Sequence, residues 1–255
     1  MGALGAMAGR NDGRGASGSA IGALVRRVEQ IRDNVEYRRM VEPEDRAAVY
    51  RLRYEGYLRE GKIAADASRM LRDEYDDLPN TDSYGIFVCG RLVSTVRLSI
   101  LTPQCPHSPS VTAFGDDVLD RVKAGRVIVD PQRLVIEPRA VGQFPELPWL
   151  AVRIPTMAVI HYGADECLSS VQVHHKSFYE RIFRTTRVGG PVHYAPLDMT
   201  IETHKADAHD LIHDLNTRYP FLCSDWLERR QLFGRADRIP GLIDPDRWQT
   251  YDLAA

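Results

Sequence analysis

Arg97 stands inside Leu92-Val93-Ser94-Thr95-Val96-Arg97-Leu98, a stretch otherwise made of strand formers and small polar residues. Arg133 follows a second apolar stretch, Val127-Ile128-Val129-Asp130-Pro131. A guanidinium on the core side of a strand needs a partner, because burying an unpaired charge is costly. Any fold of this chain must therefore carry acidic side chains to these two strands. The sequence supplies them: Asp73, Glu74, Asp76 and Asp77 fall close together, flanked by Asp66 and Asp82, and Asp130 lies near Arg133. Two readings follow. The acidic run is either a solvated loop or a pocket for a cationic group such as an ammonium. The arginines either close structural ion pairs or bind a carboxylate.

The chain has 255 residues, a length for one to two domains of about 150 residues each. Its formal charge is −2, which gives no electrostatic footprint for nucleic acid. No apolar run approaches the ~20 residues of a membrane span, and no secretory signal opens the sequence. Cys89, Cys105, Cys167 and Cys223 lack C-x-x-C spacing, so neither a structural zinc nor any other metal site is expected. Together these features predict a cytoplasmic protein with reduced thiols.

Residues 1–20 are rich in Gly and Ala and are expected to be a flexible N-terminal segment. They contain Gly13-Arg14-Gly15-Ala16-Ser17-Gly18, a G-x-G-x-x-G match that no strand precedes and that therefore carries no nucleotide reading. Apolar spacing predicts an amphipathic helix over 20–33, a strand over 37–41 and a helix from Pro43 to about residue 61. A hairpin over 84–101 turns at Gly90-Arg91. A helix over 114–123, a strand over 126–136 ended by Pro138, and a helix over 148–163 come next. A strand over 167–173, a helix over 176–184, a strand pair over 191–203 and a helix over 206–217 complete the pattern. Helices alternate with strands around one tight hairpin, which suits a mixed sheet covered on both faces. The chain is expected to divide into the segment 1–20, one domain over 21–220, and a C-terminal tail over 221–255 that has no clear period and packs on the domain.

Tyr179 lies early in the helix after the 167–173 strand, where it is either a half-buried helix tyrosine or a proton donor to a leaving thiolate. His174 and His175 read as turn residues. His209 and His213 are spaced for one helix face, but without further ligands they do not make a metal site.

At this point the residues resemble a known group. Tyr50-Arg51-Leu52-Arg53-Tyr54-Glu55-Gly56-Tyr57-Leu58-Arg59-Glu60-Gly61 is similar to the first long helix of the acyl-homoserine-lactone synthases and of the related N-acyl amino acid synthases. Asp73-Glu74-Tyr75-Asp76-Asp77-Leu78 resembles their acidic D-x-Y-D segment, Leu92 to Leu98 their arginine-bearing strand, and Asp130-Pro131-Gln132-Arg133-Leu134-Val135-Ile136 their E/D-x-x-R strand. The resemblance spans about residues 36–200, with four motifs in the same order. It implies a GNAT-like acyltransferase fold, an α/β architecture with a V-splayed mixed β-sheet flanked by helices and the acyl thioester in the splay. It also implies substrate-binding roles for Arg53, Asp73, Arg97 and Arg133, and catalytic roles for Asp76, Asp130 and Tyr179. The backbone around Leu134, Val135 and Ile136 would receive the thioester carbonyl.

Departures from the family pattern sharpen the reading. Leu71 stands where the lactone synthases usually have a glutamate, and Gly61-Lys62-Ile63 where they have a tryptophan. Both favour the N-acyl amino acid synthases. In the slot where acetyl-CoA enzymes carry Q/R-x-x-G-x-G/A, this chain reads Arg139-Ala140-Val141-Gly142-Gln143-Phe144. Arg139 and Gly142 fit as donor-binding residues. Phe144 replaces a small residue that would let backbone N–H groups approach a pyrophosphate. The expectation is therefore an N-acyltransferase that moves a fatty acyl group from acyl carrier protein to the α-amine of an amino acid, with acyl-phosphopantetheine as donor substrate and no bound cofactor. The alternatives are a lactone synthase acting on S-adenosylmethionine, a CoA-dependent N-acetyltransferase, and a catalytically silent acyl-ligand binding module. The acyl chain would need an apolar slot, for which Trp149, Val152, Met157 and Ile160 are candidates beside their plainer role as core.

Overall fold

The computed structural model describes residues 18–234 and 236–242. The expected flexible segment therefore falls almost wholly outside the described residues, as does the end of the tail. The first elements are α1 (Gly18–Arg32), β1 (Val35–Arg39) and α2 (Pro43–Arg59). Pro43 opens α2 where its missing N–H is not needed, and Glu44 and Asp45 sit at the positive end of the helix dipole. A short 3-10 turn over Glu74–Asp77 carries the acidic motif. Then come β2 (Thr81–Val88) and β3 (Arg91–Leu101). The hairpin turn is Cys89-Gly90, one residue earlier than expected, with φ of +49° and +75°. Two successive positive φ values match the right-handed twist of the flanking strands.

The chain continues through α3 (Pro109–Phe114), α4 (Asp116–Lys123), β4 (Ile128–Ile136), α5 (Pro138–Gln143), α6 (Leu147–Tyr162), β5 (Glu166–Gln172), α7 (Lys176–Phe183), β6 (Thr186–Tyr194), β7 (Met199–Asp207), α8 (Ala208–Arg218) and α9 (Trp226–Phe233). No described helix is long and apolar enough to cross a membrane. The helix α5 was not expected: Pro138 ends the strand, as predicted, but also opens a helix at a first-turn position. The helix α9 was missed because it is short and its apolar residues follow no clear period; Asp225 caps it through the Glu228 N–H at 2.7 Å.

Among the described residues seven strands form one sheet in the order β1-β2-β3-β4-β5-β7-β6. Every neighbouring pair is antiparallel except β4 and β5. The parallel pair meets only at Ile128↔Glu166 and Val129↔Cys167, after which the two strands part. Beyond that point β4 carries Pro131, which has no N–H to give a ladder, and then a bulge. Thr95 opposes Val135 and Arg97 opposes Gln132, so Val96 faces both Arg133 and Leu134. Arg133 sits at φ +52°, an uncommon conformation for a residue other than glycine. β5 meanwhile pairs with β7 along its length, from Glu166↔Asp207 to Gln172↔Ile201. The sheet therefore opens into a V between β4 and β5.

Almost every residue of α6 is buried. Trp149 on this helix packs its ring within 5.3–5.9 Å of Phe178, Tyr219 and Phe221. Trp149 and Met157 are thus core residues, whereas Val152 reaches the V. Arg153 holds the segment after α8: it donates to Phe221 O at 3.0 Å and Cys223 O at 2.6 Å, and pairs with Glu228. On the other side of the sheet α2 lies against β4, and Gly56 makes the close approach possible. A Cβ there would stand 2.5 Å from Val135 Cγ1. Gly56→Ala should accordingly destabilise the fold by about 1–3 kcal/mol through overpacking, a fall on the order of 2–12 °C in Tm for a chain of this size. Gly142→Ala, where nothing lies within 4 Å of the new Cβ, should leave stability unchanged or slightly raised. Thermal unfolding of both variants checks this.

Candidate active site

The acidic turn and the strand arginines close one buried cluster. Arg53 comes from α2, Arg97 from β3, Arg133 from β4, and Asp73 and Asp76 from the 3-10 turn. Arg53 Nη1 lies 2.7 Å from Asp76 Oδ1, and its Nη2 donates to Ser83 Oγ at 2.7 Å. Arg97 Nη1 contacts Asp73 Oδ1 and lies 3.2 Å from Asp76 Oδ1. Arg133 Nη2 donates to Asp73 Oδ2 at 2.6 Å. The turn organises its own carboxylates: Asp73 accepts from the Tyr75 N–H and Asp76 from the Asp73 N–H, both at 3.1 Å. Each guanidinium also lies over a tyrosine ring, Arg53 over Tyr50 at 5.7 Å, Arg97 over Tyr75 at 5.7 Å and Arg133 over Tyr57 at 5.6 Å.

Burial pushes the Asp73 carboxyl up, but Arg97 and Arg133 outweigh it and hold the group below the ordinary carboxylate value. At Asp76 burial is likewise overcome, by Arg53 and Arg97. The ammonium pocket, one of the two readings of the acidic run, is therefore not what Asp73 and Asp76 form, because these two carboxylates are occupied by three guanidinium groups. The cluster has one positive charge in surplus. Arg53 Nε, Arg97 Nη2 and Arg133 Nη1 are buried with no hydrogen-bond partner among the described residues. Nitrogen atoms in that state favour an added anion.

Arg97 and Arg133 line a cavity of about 220 Å³ that fills the V between β4 and β5. Leu134, Val135 and Ile136 form its β4 wall, Cys167 to Gln172 its β5 wall, and Tyr179, Phe183 and Leu211 part of its apolar side. Arg53, Asp73 and Asp76 back the arginines without lining the cavity. Arg139 and Gly142, expected in a phosphate-binding loop, lie exposed on α5 and outside the cavity. Glu137 N–H donates to Val93 O at 2.8 Å. In an antiparallel ladder the groups alternate, so the N–H of Ile136, which faces Ser94, turns the other way, towards the V.

Asp130 is fully buried and does not line the cavity. It accepts hydrogen bonds from Ser108 Oγ at 2.6 Å, Ser110 Oγ at 2.8 Å and Gln132 Nε2 at 2.6 Å. Burial raises its carboxyl above the ordinary value in spite of those bonds. Gln132 also accepts from Arg97 Nε at 3.1 Å, so one side chain joins the two clusters. Tyr179 is half-buried on the cavity wall, and burial pushes its phenol up, so it keeps its proton at neutral pH. Sequence reading missed Ser108, Ser110 and Gln132, and also Tyr194, which lines the cavity. Gln132 lies within the E/D-x-x-R motif and was within reach; Ser108 caps the short helix α3 and Ser110 lies in its first turn, a helix that no apolar period marks in the sequence.

Residues 48–207 match the family model described as N-acyl amino acid synthase FeeM. No curated protein matches the chain significantly. Among solved structures it is similar to FeeM, an N-acyl amino acid synthase from uncultured soil microbes, with a TM-score of 0.61 at 14% identity over 72% of this chain and 97% of that one. It is similar also to the AHL synthase LasI, with a TM-score of 0.55 at 15% identity over 73% of this chain and 94% of that one. TofI gives 0.54 at 15% identity over 74% and 100%. These likenesses fix a GNAT-like acyltransferase fold, as the sequence resemblance implied.

The ion cluster has a stability signature. Depressed carboxyl values contribute stability that is present above the unfolded value of about 3.9 and lost as pH falls through the folded values. Asp76→Asn should cost roughly 3–5 kcal/mol at pH 7, since it strips Arg53 and Arg97 of a buried counter-charge. It should also flatten the loss of stability that the wild type shows below the ordinary carboxylate range. Urea unfolding from pH 7 down to pH 2.5 measures both.

Proposed function

The chain belongs to the N-acyl amino acid synthase FeeM family, and from that premise we propose that this acyltransferase moves a fatty acyl group from an acyl carrier protein thioester to the α-amine of an amino acid. The observation that carries the reading is the pair of partnerless nitrogens, Arg97 Nη2 and Arg133 Nη1, on residues at the wall of an otherwise largely apolar cavity. An amino acid carboxylate would accept from both and neutralise the surplus charge. The walls between β4 and β5 would take the acyl chain, at ~0.8 kcal/mol per buried CH₂. An N-acyl amino acid has both ends that such a cavity suits.

The chemistry asks little of the base. An α-amine titrates near 7.7–8.0, so about a tenth is neutral at pH 7 and deprotonation costs only ~1.4 kcal/mol. Asp130 is the better base of the two aspartates considered, because burial raises it, whereas Asp76 is held down by two guanidinium groups. Asp76, with Asp73 and Arg53, then positions the two cavity arginines. The thioester carbonyl would meet the N–H of Ile136, with Leu134 and Val135 shaping the approach; losing one such donor costs about 3–4 kcal/mol. Tyr179 would protonate the departing thiolate. Phe144 and the helical setting of Gly142 support a carrier-protein donor over CoA, with Arg139 free to meet the single phosphate of phosphopantetheine.

Product mass spectrometry tests the assignment. Purified protein is mixed with acyl carrier proteins bearing different chains, the twenty amino acids and S-adenosylmethionine. An acyl–amino acid mass is expected. A lactone mass would move the reading to the homoserine-lactone synthases, and no product with any donor would favour a silent binding module. Arg133→Lys keeps a charge beside Asp73 but loses the planar fork. It should raise KM for the amino acid about 10- to 100-fold, the worth of one charged hydrogen bond, with KM for the acyl donor little changed.

A further inference from the structure

We propose that Ser110 carries the proton of the acceptor amine from the cavity to Asp130, as the first member of a hydroxyl chain that runs on through Ser170 to Thr203. The inference rests on the amine-acceptor reading above and names the route its proton takes. Asp130 does not touch the cavity, but Ser110 and Ser170 both line it. Ser110 Oγ lies 2.8 Å from Asp130 Oδ1 and 2.8 Å from Ser170 Oγ, and Ser170 Oγ lies 3.0 Å from Thr203 Oγ1. These four oxygens form one continuous line from β4 across the V to β7.

Each hydroxyl owns one proton, so the direction of the line is set by the charge on Asp130. With Asp130 ionised, Ser110 donates to Asp130 and accepts from Ser170. With Asp130 protonated, the carboxyl donates to Ser110, Ser110 to Ser170, and Ser170 to Thr203; the structure combines the two senses, with Ser110 donating to Asp130 as in the ionised state and Ser170 donating to Thr203 as in the protonated one. Either oxygen of the Ser110–Ser170 contact can be the donor, which is what a reversible line needs. Gln132 links Asp130 to Arg97, so an amino acid anchored by its carboxylate on Arg97 and Arg133 would hold its amine beside this line.

The step balances. As nitrogen attacks the thioester carbon, the N–C bond forms and nitrogen becomes cationic. Its proton moves to Ser110 Oγ while the proton of Ser110 moves to Asp130 Oδ1. The oxyanion collapses, the C–S bond breaks, and the thiolate leaves with the proton of Tyr179. Asp130 returns its proton to solvent, from which Tyr179 is restored. The charged and titratable groups facing Asp130 are Arg97 from β3 and Cys167 from β5.

Ser108 supplies the control. It makes the same kind of bond to Asp130, at 2.6 Å, but does not line the cavity. Ser110→Ala should lower kcat about 100-fold with both KM values unchanged, the usual scale of a lost proton-transfer group. Ser108→Ala should lower it about tenfold at most, and Ser110→Thr should restore most of the rate. Wild-type kcat should fall as pH drops through the raised Asp130 value, above the ordinary carboxylate range, and Asp130→Asn should lose that limb. If Ser110→Ala melts below the assay temperature, Ser170→Ala removes the hydroxyl that holds Ser110 Oγ in place without touching the bonds to Asp130, and a smaller fall in kcat is expected. Equal losses in Ser108→Ala and Ser110→Ala, or wild-type kcat and pH profile in Ser110→Ala or Ser170→Ala, would overturn the relay. A wild type that acylates no amine would instead overturn the functional reading on which it stands.

Discussion

The guanidinium of Arg97 is the interaction on which the rest of the site depends. It is fully buried, yet it reaches Asp73 and Asp76 on the acidic turn, Gln132 on β4 and the ring of Tyr75. A buried ion pair rarely adds net stability over an apolar substitute, because desolvation offsets most of the attraction. What it does impose is geometry. The turn cannot leave the sheet without stranding Arg97, and Arg97 cannot swing away without stranding two carboxylates. The acidic turn, α2 and two strands are thereby held in one arrangement, and guanidinium nitrogens without a partner among the described residues remain buried on residues that line the cavity.

The second constraint is the parting of β4 from β5. Two residue pairs fix the vertex of the V, and Pro131 and the bulge at Arg133 and Leu134 stop β4 from continuing the ladder. The same irregularity brings Arg133 into the ion cluster and shapes the wall where Ile136 turns its N–H inward. The strand break, the charged end and the apolar slot are therefore consequences of one short sequence, Asp130 to Ile136. Opposite it, α6 covers the slot, and Gly56 lets α2 close on Val135 of β4 beside the cavity.

Two aspartates that look alike in sequence end in opposite electrostatic states. Asp76 faces two guanidinium groups and is held down; Asp130 is surrounded by neutral donors in a dry interior and is pushed up. Environments that separate the titration of paired carboxyls are the usual way a protein assigns one to structure and the other to proton transfer.

Much of this could be read in the residues. The arginines inside apolar strands, the nearby run of aspartates and the alternation of helices with strands determined that a mixed sheet would carry a buried ion network, and the order of four motifs pointed to the acyltransferase fold. Charge burial and hydrophobic period are local rules, and here they were enough. Tertiary structure alone decided the rest: that the carboxylates are filled by arginines and leave a surplus of positive charge, that Asp130 is reached through Ser110, and that α5 and α9 are helices. The first two depend on which groups meet across the sheet, and the two helices on their terminal residues rather than on an apolar period. Neither a count of charges nor a spacing along the chain contains the distance between residues 73 and 133 or between 110 and 170.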